Sequence, residues 1–175
     1  MLSRALSMLV VIALVAMPSR VHGQPPADAA TLQIRQTVFA PSLHVDLATS
    51  YQTWSGTFVR DLVQGHGAPF GLTNRVRIKF RLWRADGSLV AMGERADIAL
   101  RNSADTATFV IGRGALIRGL EEGVKGMQLG GVRQLVIPSI AAWGDTGRGN
   151  VPPNGVLVAE VTLIGSADDA PHAAR

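Results

Sequence analysis

The stretch GRGALIRGLEEGVKGMQLGG, residues 112–131, combines seven glycines with apolar residues at the spacing of a short helix. The apolar residues recur at intervals of three or four: Leu116 or Ile117, Leu120, Val124 and Met127. This period places them on one face of an α-helix, and Gly130 ends the pattern. The glycines allow two interpretations, a loop that cradles phosphate or a helix that lies very close to a sheet.

The phosphate interpretation fails on the order of the residues. A phosphate-binding loop requires G-x-x-x-x-G-K-[ST], and no Lys-Ser or Lys-Thr pair follows these glycines. We therefore expect the helix to cover an apolar sheet face.

The segments around the helix are typical of strands. RVRIKFRLWR, residues 75–84, alternates apolar with basic residues and is followed by a turn at Asp86-Gly87. TFVRDLV (57–63) also alternates, while VRQLVIP (132–138) and VLVAEVTLI (156–164) read as two further strands. These segments predict an α+β fold, an antiparallel sheet wrapped on one short helix.

The amino terminus is typical of a secretory signal peptide over residues 1–23. A basic Arg4 precedes an apolar run at 8–17, and small residues follow at 21–23. The run is too short to span a bilayer, so an uncleaved anchor is the less favoured alternative. Loss of Arg4 and Arg20 leaves 15 basic and 13 acidic residues, which lowers the formal charge from +4 to +2. We therefore expect an exported protein, periplasmic or secreted, without a stable membrane span.

The rest of the chain divides into three parts. Residues 24–52 begin with QPPADAA and are predicted to be a flexible linker or extension, 53–166 the folded domain, and 167–175 a disordered tail. Scattered apolar residues at 36–49 are expected to pack on the domain or on a second copy of the chain, which leaves a homodimer open. The sequence contains no cysteine, so the domain depends on its core alone.

Several chemistries find no support in the residues. His44, His66 and His172 are far apart and no cysteine accompanies them, so we expect no metal and no other cofactor. No G-x-S-x-G motif is present, and a single Asp-Thr-Gly at Asp145 cannot supply the two carboxylates of an aspartic protease.

The basic residues of the 75–84 segment form a solvated strand face, Arg75, Arg77, Lys79 and Arg81. Proteins that bind single-stranded nucleic acid place aromatic residues on such a face, and only Trp83 is near. We therefore predict no nucleic-acid partner. An assembly contact with an acidic partner is the weaker alternative, and it would depend steeply on salt.

Residues 109–163 resemble the C-terminal half of the FKBP-type peptidyl-prolyl cis–trans isomerases. The family's motifs, including V-I-x-G-[WL]-[DE]-E-G, I-P-x-x-x-A-Y-G and [IV]-P-P, have counterparts here in the same order. These counterparts lie at 109–112, 116–123, 127–130, 137–144, 151–153 and 157–163. The resemblance is fainter upstream and covers about 53–165 in all.

This resemblance implies a curved antiparallel sheet half-wrapped around one short helix, with a proline-containing polypeptide bound between them. It assigns catalytic roles to Ile117, whose backbone N–H would hold a substrate carbonyl, and to Phe80 and Trp143. It further implies these substrate-binding residues: Phe109, Leu116, Leu120, Val90, Val151 and Ala159.

The chain departs from the family pattern at several positions of this pocket. Phe80 and Trp143 each stand where the family usually has tyrosine, and Leu120 stands where many members have tryptophan. Ala91 replaces an aspartate, and Ala107 and Ala159 replace aromatic residues. These changes predict a wide, shallow pocket with slow catalysis. The alternative is a non-catalytic chaperone that holds unfolded or extended proline-containing chains.

Overall fold

A computed structural model of the chain describes residues 27–90 and 106–166. The predicted signal peptide, Ala91 and the tail at 167–175 lie outside the described residues. The described helices and strands are α1 (Ala27–Gln36), β1 (Tyr51–Gln52), β2 (Phe58–Val63), β3 (Arg75–Arg84), β4 (Thr106–Val110), α2 (Arg118–Val124), β5 (Val132–Ile137) and β6 (Leu157–Ser166), with short 3-10 turns at Pro41–Leu43 and Ser139–Ala141. None of these helices is long and apolar enough to span a bilayer.

The described strands form one sheet in the order β1-β2-β5-β6-β3-β4, and every pair is antiparallel. The predicted α+β class is confirmed. From Arg75 to Leu82 on β3 the apolar residues are buried and the basic residues are exposed, because alternate side chains of a strand point to opposite faces. Leu82 lies opposite Ala159 on β6, so the inner faces of these two strands form one apolar wall.

Helix α2 packs on the same sheet at very short range, against β5. A Cβ atom on Gly119 would overlap the Ile137 side chain, and one on Gly123 would overlap that of Leu135. The two glycines are four residues apart and share one helix face, so they let α2 lie directly on β5. This close contact is the reason for glycine inside the helix, where it would otherwise be destabilising.

Leu120 and Val124 are buried on α2, and Met127 is buried as well. The helix ends at Val124, however, so Met127 lies beyond it and the helix is shorter than the pattern that Gly130 was expected to end. Leu116 and Ile117 precede the first helical residue and are half-buried. They belong to the corner that leads from β4 into α2.

The structure differs from the sequence-based expectation in β2. Alternation was expected, yet Phe58 and Val59 are both buried, while Leu62 and Val63 are exposed. A register shift between Asp61 and Val63 interrupts the pairing with β5. Phe58 is buried because the amino-terminal segment covers the outer face of the sheet at this point.

The amino-terminal segment also differs from a flexible linker. Residues 27–36 form α1, a second helix that the sequence pattern did not predict. Ile34 is fully buried in a second apolar cluster with Phe58, Val136 and Val156. Half-buried apolar side chains of the following segment join this cluster: Phe39, Val45 and Leu47. Of the two placements left open for 36–49, the structure shows packing on the chain's own domain, and a homodimer stays a prediction.

Candidate functional site

The residues assigned to substrate binding meet in one apolar cluster between α2, the loops that follow β5, and the inner faces of β3, β4 and β6. Six are buried in it: Phe80, Val90, Phe109, Leu120, Val151 and Ala159. Three more are half-buried and pack against it: Leu116, Ile117 and Trp143. The structure thus places all of the predicted site residues in or against the main hydrophobic core of the domain, and their roles toward a substrate stay predictions.

Ile117 lies at the amino-terminal cap of α2, where the backbone is extended rather than helical (φ −58°, ψ 143°). Its carbonyl oxygen accepts hydrogen bonds from the amides of Leu120 (3.0 Å) and Glu121 (3.2 Å). Within residues 27–90 and 106–166, its own N–H donates to no protein acceptor. The first N–H groups of a helix lack intrahelical partners, so α2 itself supplies no acceptor for this donor.

The corner that carries Ile117 is held by a buried carboxylate. Glu121 is 8% exposed, and its two oxygens accept hydrogen bonds from the amides of Gly112 (2.9 Å) and Leu116 (3.1 Å). Sequence reasoning missed this role, since the Glu121-Glu122 pair reads as an exposed helix turn. The only available signal was the helical period, which places Glu121 next to the buried Leu120.

Glu122 connects the same helix to the segment that precedes β2. Its carboxylate accepts hydrogen bonds from the Ser55 amide (3.0 Å) and from Arg118 Nε (2.8 Å). Burial alone would raise the pKa of Glu122, but the hydrogen bonds from Thr53, Arg118 and Ser55 outweigh it and lower the pKa below its ordinary value of 4.5.

Trp143 and Val151 lie in the connection between β5 and β6, on two loops that we call the Trp143 loop (138–147) and the Val151 loop (148–156). Backbone hydrogen bonds join the two loops. The Gly144 amide donates to the Ser139 carbonyl, and the Asn154 amide donates to the Gly144 carbonyl, both at 2.8 Å. Val151 is fixed within its loop by hydrogen bonds to and from Arg148. The two loops therefore form one rim on the apolar cluster.

The replaced aromatic positions are visible in the wall of the cluster. Ala107 and Ala159 are 1% and 0% exposed, so each presents only a methyl group there. Phe70, which sequence reasoning missed, is half-buried against the same cluster and is held by backbone hydrogen bonds to Gly126 and Met127. Little in the sequence indicates that Phe70 is buried, because it follows the Gly- and Pro-rich segment at 65–69, which is typical of a loop.

A separate concavity of about 820 Å³ adjoins the corner between β4 and α2. Its lining includes Trp54, Leu72, Leu116 and Glu121, but none of Phe80, Ile117 and Trp143. Leu116 thus lies between this concavity and the apolar cluster. The described residues bring no three His, Cys, Asp or Glu side chains close enough to hold a metal ion.

The fold is an antiparallel sheet whose inner apolar face packs against helix α2. Residues 70–164 match the sequence model of the FKBP-type peptidyl-prolyl cis–trans isomerases. The chain belongs to this family, which confirms the resemblance and gives its enzyme class, peptidyl-prolyl cis–trans isomerase.

Individual relatives agree with this assignment. An FK506-binding protein of Neisseria meningitidis serogroup B is 32% identical over 110 residues, which are 62% of this chain and 94% of the relative. FK506-binding protein 5 of Dictyostelium discoideum is 36% identical over 110 residues, but these are 63% of this chain and only 7% of that much longer protein. The crystal structure of AtFKBP13 superimposes with a TM-score of 0.56 at 27% identity, over 67% of this chain and 98% of that one.

Proposed function

We propose that the protein is exported and assists the folding of exported polypeptides by isomerising their Xaa-Pro bonds in the apolar cluster described above. The observation that carries the proposal is the position of the Ile117 N–H, which lies at the edge of that cluster and donates to no acceptor among residues 27–90 and 106–166. Export is supported by the amino-terminal sequence, in which a basic residue, a short apolar run and small residues follow one another at 1–23.

The mechanism follows from the chemistry of the amide. Rotation about the bond has a barrier of about 18–20 kcal/mol, because amide resonance must be lost. The twisted transition state is less delocalised and less polar than the planar ground state, so an apolar, water-excluding site favours it. The Ile117 N–H would hold a substrate carbonyl while Phe80, Phe109 and Leu120 surround the proline ring. No nucleophile is needed for this step.

Trp143 supplies a second donor to the rim. Its indole N–H would donate to the substrate from a different place than the tyrosine hydroxyl expected at this position. The missing ring at Ala159 leaves the proline less tightly enclosed, which favours slower turnover than in a site lined with aromatic residues.

A second candidate function is retention of proline-containing segments without isomerisation, as a chaperone. The buried alanines Ala107 and Ala159 favour it, because each offers a proline less apolar contact surface than the aromatic residue expected at its position. The two candidates share one binding site and differ only in the rate of rotation.

The test is cis–trans exchange of Leu-Pro and Phe-Pro peptides by NMR, with protein purified after expression of the full-length sequence. We expect acceleration by the wild-type protein and its loss in Ile117→Asp. Ile164→Asp is the matched control, because Ile164 is partly exposed on β6, outside the apolar cluster. If the folded wild-type protein gives no acceleration yet shifts the peptide resonances, the chaperone function holds instead. Equal activity of the two variants would refute the placement of the site.

A further inference from the structure

Helix α1 directs a polar side chain at the site. Ala30, Gln33 and Ile34 are spaced three and four residues apart, so they share one helix face. Ala30 and Ile34 are buried, at 4% and 0% exposure, and fix the helix on the sheet. The Gln33 side chain, on the same face, reaches the two loops that form the rim of the apolar cluster.

The Gln33 amide contacts both loops at once. Its Oε1 accepts a hydrogen bond from the Ser139 backbone N–H (3.1 Å), and its Nε2 donates to the Asn154 backbone carbonyl (2.9 Å). The Ser139 hydroxyl oxygen lies 3.1 Å from Nε2 and 3.2 Å from Oε1. Since a backbone N–H can only donate and a carbonyl can only accept, these contacts fix which way the amide faces.

These contacts close a ring of hydrogen bonds. Ser139 accepts from the Gly144 amide, which follows Trp143, and Gly144 accepts from the Asn154 amide, whose loop carries Val151. Gln33 completes the ring by joining Ser139 to Asn154 from outside. The separation of the two loops is therefore set partly by a side chain of the amino-terminal helix.

We propose that Gln33 is a positioning residue, which holds the Trp143 loop against the Val151 loop and so fixes the rim that a substrate proline meets. This inference rests on the proposed function for its catalytic consequence. Gln33 lies outside residues 70–164, the part that matches the family model, so this support comes from the chain's own amino-terminal segment.

The test compares two substitutions of the same chemistry in the full-length protein. Gln33→Met keeps the length of the side chain and removes both hydrogen-bonding groups. Gln52→Met is the matched control, because Gln52 Nε2 donates to Thr31 Oγ1 (2.8 Å) on the same helix without contacting either loop. We expect Gln33→Met to lower kcat/KM for a Phe-Pro peptide by about fivefold or more, since small displacements of positioning groups are costly to catalysis. Gln52→Met should retain the wild-type value.

A second readout separates positioning from general stability. The indole N–H resonance of Trp143, assigned from a Trp143→Phe spectrum, should shift in Gln33→Met and not in Gln52→Met. This readout does not require isomerase activity, so it tests the positioning role even if the wild-type protein fails to accelerate exchange. Wild-type kcat/KM together with an unchanged indole resonance in Gln33→Met would overturn the proposal.

Gln33→Glu provides a variant for the case in which Gln33→Met does not fold. The carboxylate retains the acceptor for the Ser139 amide but loses the donor to the Asn154 carbonyl. We expect the backbone amide resonances around Val151 to shift more than those of Ser139. The opposite order would also overturn the proposal.

Discussion

One carboxylate oxygen of Glu121 lies 3.1 Å from the amide nitrogen of Leu116, and this contact ties the start of α2 to the corner before it. The other oxygen accepts from the Gly112 amide at 2.9 Å. Both amides precede the helix, and among residues 27–90 and 106–166 their only acceptor is Glu121. The corner that presents the Ile117 N–H is therefore shaped by a buried side chain one turn further along the chain.

We expect Glu121→Gln to destabilise the protein although it preserves size. A glutamine has a single acceptor oxygen, so one of the two amides would face an NH₂ group instead. Loss of a hydrogen bond to a charged group, with a buried donor left unsatisfied, costs about 1–3 kcal/mol. Urea denaturation measures this as a lower free energy of unfolding, and isomerase activity should fall with it.

Glu160→Gln is the control for this change. Glu160 is exposed on β6 and is not among the residues that hold the corner. Its substitution should leave the free energy of unfolding near that of the wild type. Equal effects of the two substitutions would contradict the role of Glu121.

The closeness of α2 to β5 predicts that alanine is harmful at two helix positions. Alanine normally favours a helix over glycine by about 1 kcal/mol. At Gly119 and Gly123 the added methyl group would overlap Ile137 and Leu135, so overpacking should dominate and cost about 1–3 kcal/mol.

Thermal unfolding of Gly119→Ala and Gly123→Ala tests whether these substitutions lower the stability of the protein. Gly71→Ala is the control, because a Cβ there would meet only Asn74 Oδ1 at an ordinary 3.9 Å. A higher midpoint for either helix variant than for the wild type would show that the helix can move away from the sheet.

Features with a regular period could be predicted from the sequence. The alternation in β3 and the helical spacing of Leu120, Val124 and Met127 identified the sheet face and the helix, because burial on one face imposes that period. The family motifs then indicated which residues would meet in the apolar cluster. The predicted cluster of Phe80, Leu120 and Trp143 follows from these two signals.

Contacts between residues that are distant in the sequence leave no periodic pattern in it. Gln33 meets Ser139, which is more than a hundred positions away, and nothing local in either segment indicates the pairing. Over residues 29–36 of helix α1 the well-buried apolar positions are Ala30 and Ile34, a pattern too sparse to distinguish this segment from a linker. Its stability comes from the outer sheet face that it covers, which is a tertiary effect.

Ile34 should therefore contribute strongly to stability although it lies in the segment predicted to be a linker. It is fully buried against Phe58, Val136 and Val156, and truncation of such a residue to alanine costs about 2–5 kcal/mol. Leu32→Ala is the control on the same helix, because Leu32 is 55% exposed. Chemical denaturation of the two variants should give a large loss only for Ile34→Ala. A small loss in both would mean that α1 is dispensable.

We expect Arg133 to stabilise the protein through its hydrogen bonds to the carboxyl end of α2. Its Nη1 donates to the carbonyls of Gly123 (2.9 Å) and Lys125 (2.8 Å), and its Nε contacts Asp61 (2.6 Å). These carbonyls are at the carboxyl end of the helix, where acceptors lack intrahelical donors. We expect Arg133→Met to lower the free energy of unfolding by about 1.5–3 kcal/mol, the usual range for hydrogen bonds to charged groups.

Arg81→Met is the matched control, since Arg81 is an exposed residue of β3. Differential scanning calorimetry should show a lower midpoint for Arg133→Met and little change for Arg81→Met. A similar midpoint for both proteins would show that water replaces Arg133 at the helix end.

The lowered pKa of Glu122 predicts how the stability of the protein depends on pH. Its pKa is lowered in the folded protein because the hydrogen bonds from Thr53, Arg118 and Ser55 outweigh the opposing effect of burial. A lowered folded-state pKa means that the ionised carboxylate stabilises the fold above its ordinary pKa of 4.5. This contribution is lost as the pH falls from 4.5 through the folded-state pKa.

The measurement is the difference in unfolding midpoint between the wild type and Glu122→Gln over a range of pH. We expect the wild type to be the more stable near neutral pH and the difference to shrink as the pH falls below about 4.5, where the carboxylate becomes protonated. Asp46 and Asp86 also have lowered pKa values, chiefly through hydrogen bonds from Thr49 and Ser88, but both carboxylates are present in the two proteins and cancel in the difference. A difference that stays constant across the acidic range would show that Glu122 acts through packing, whereas the predicted decline requires its charge.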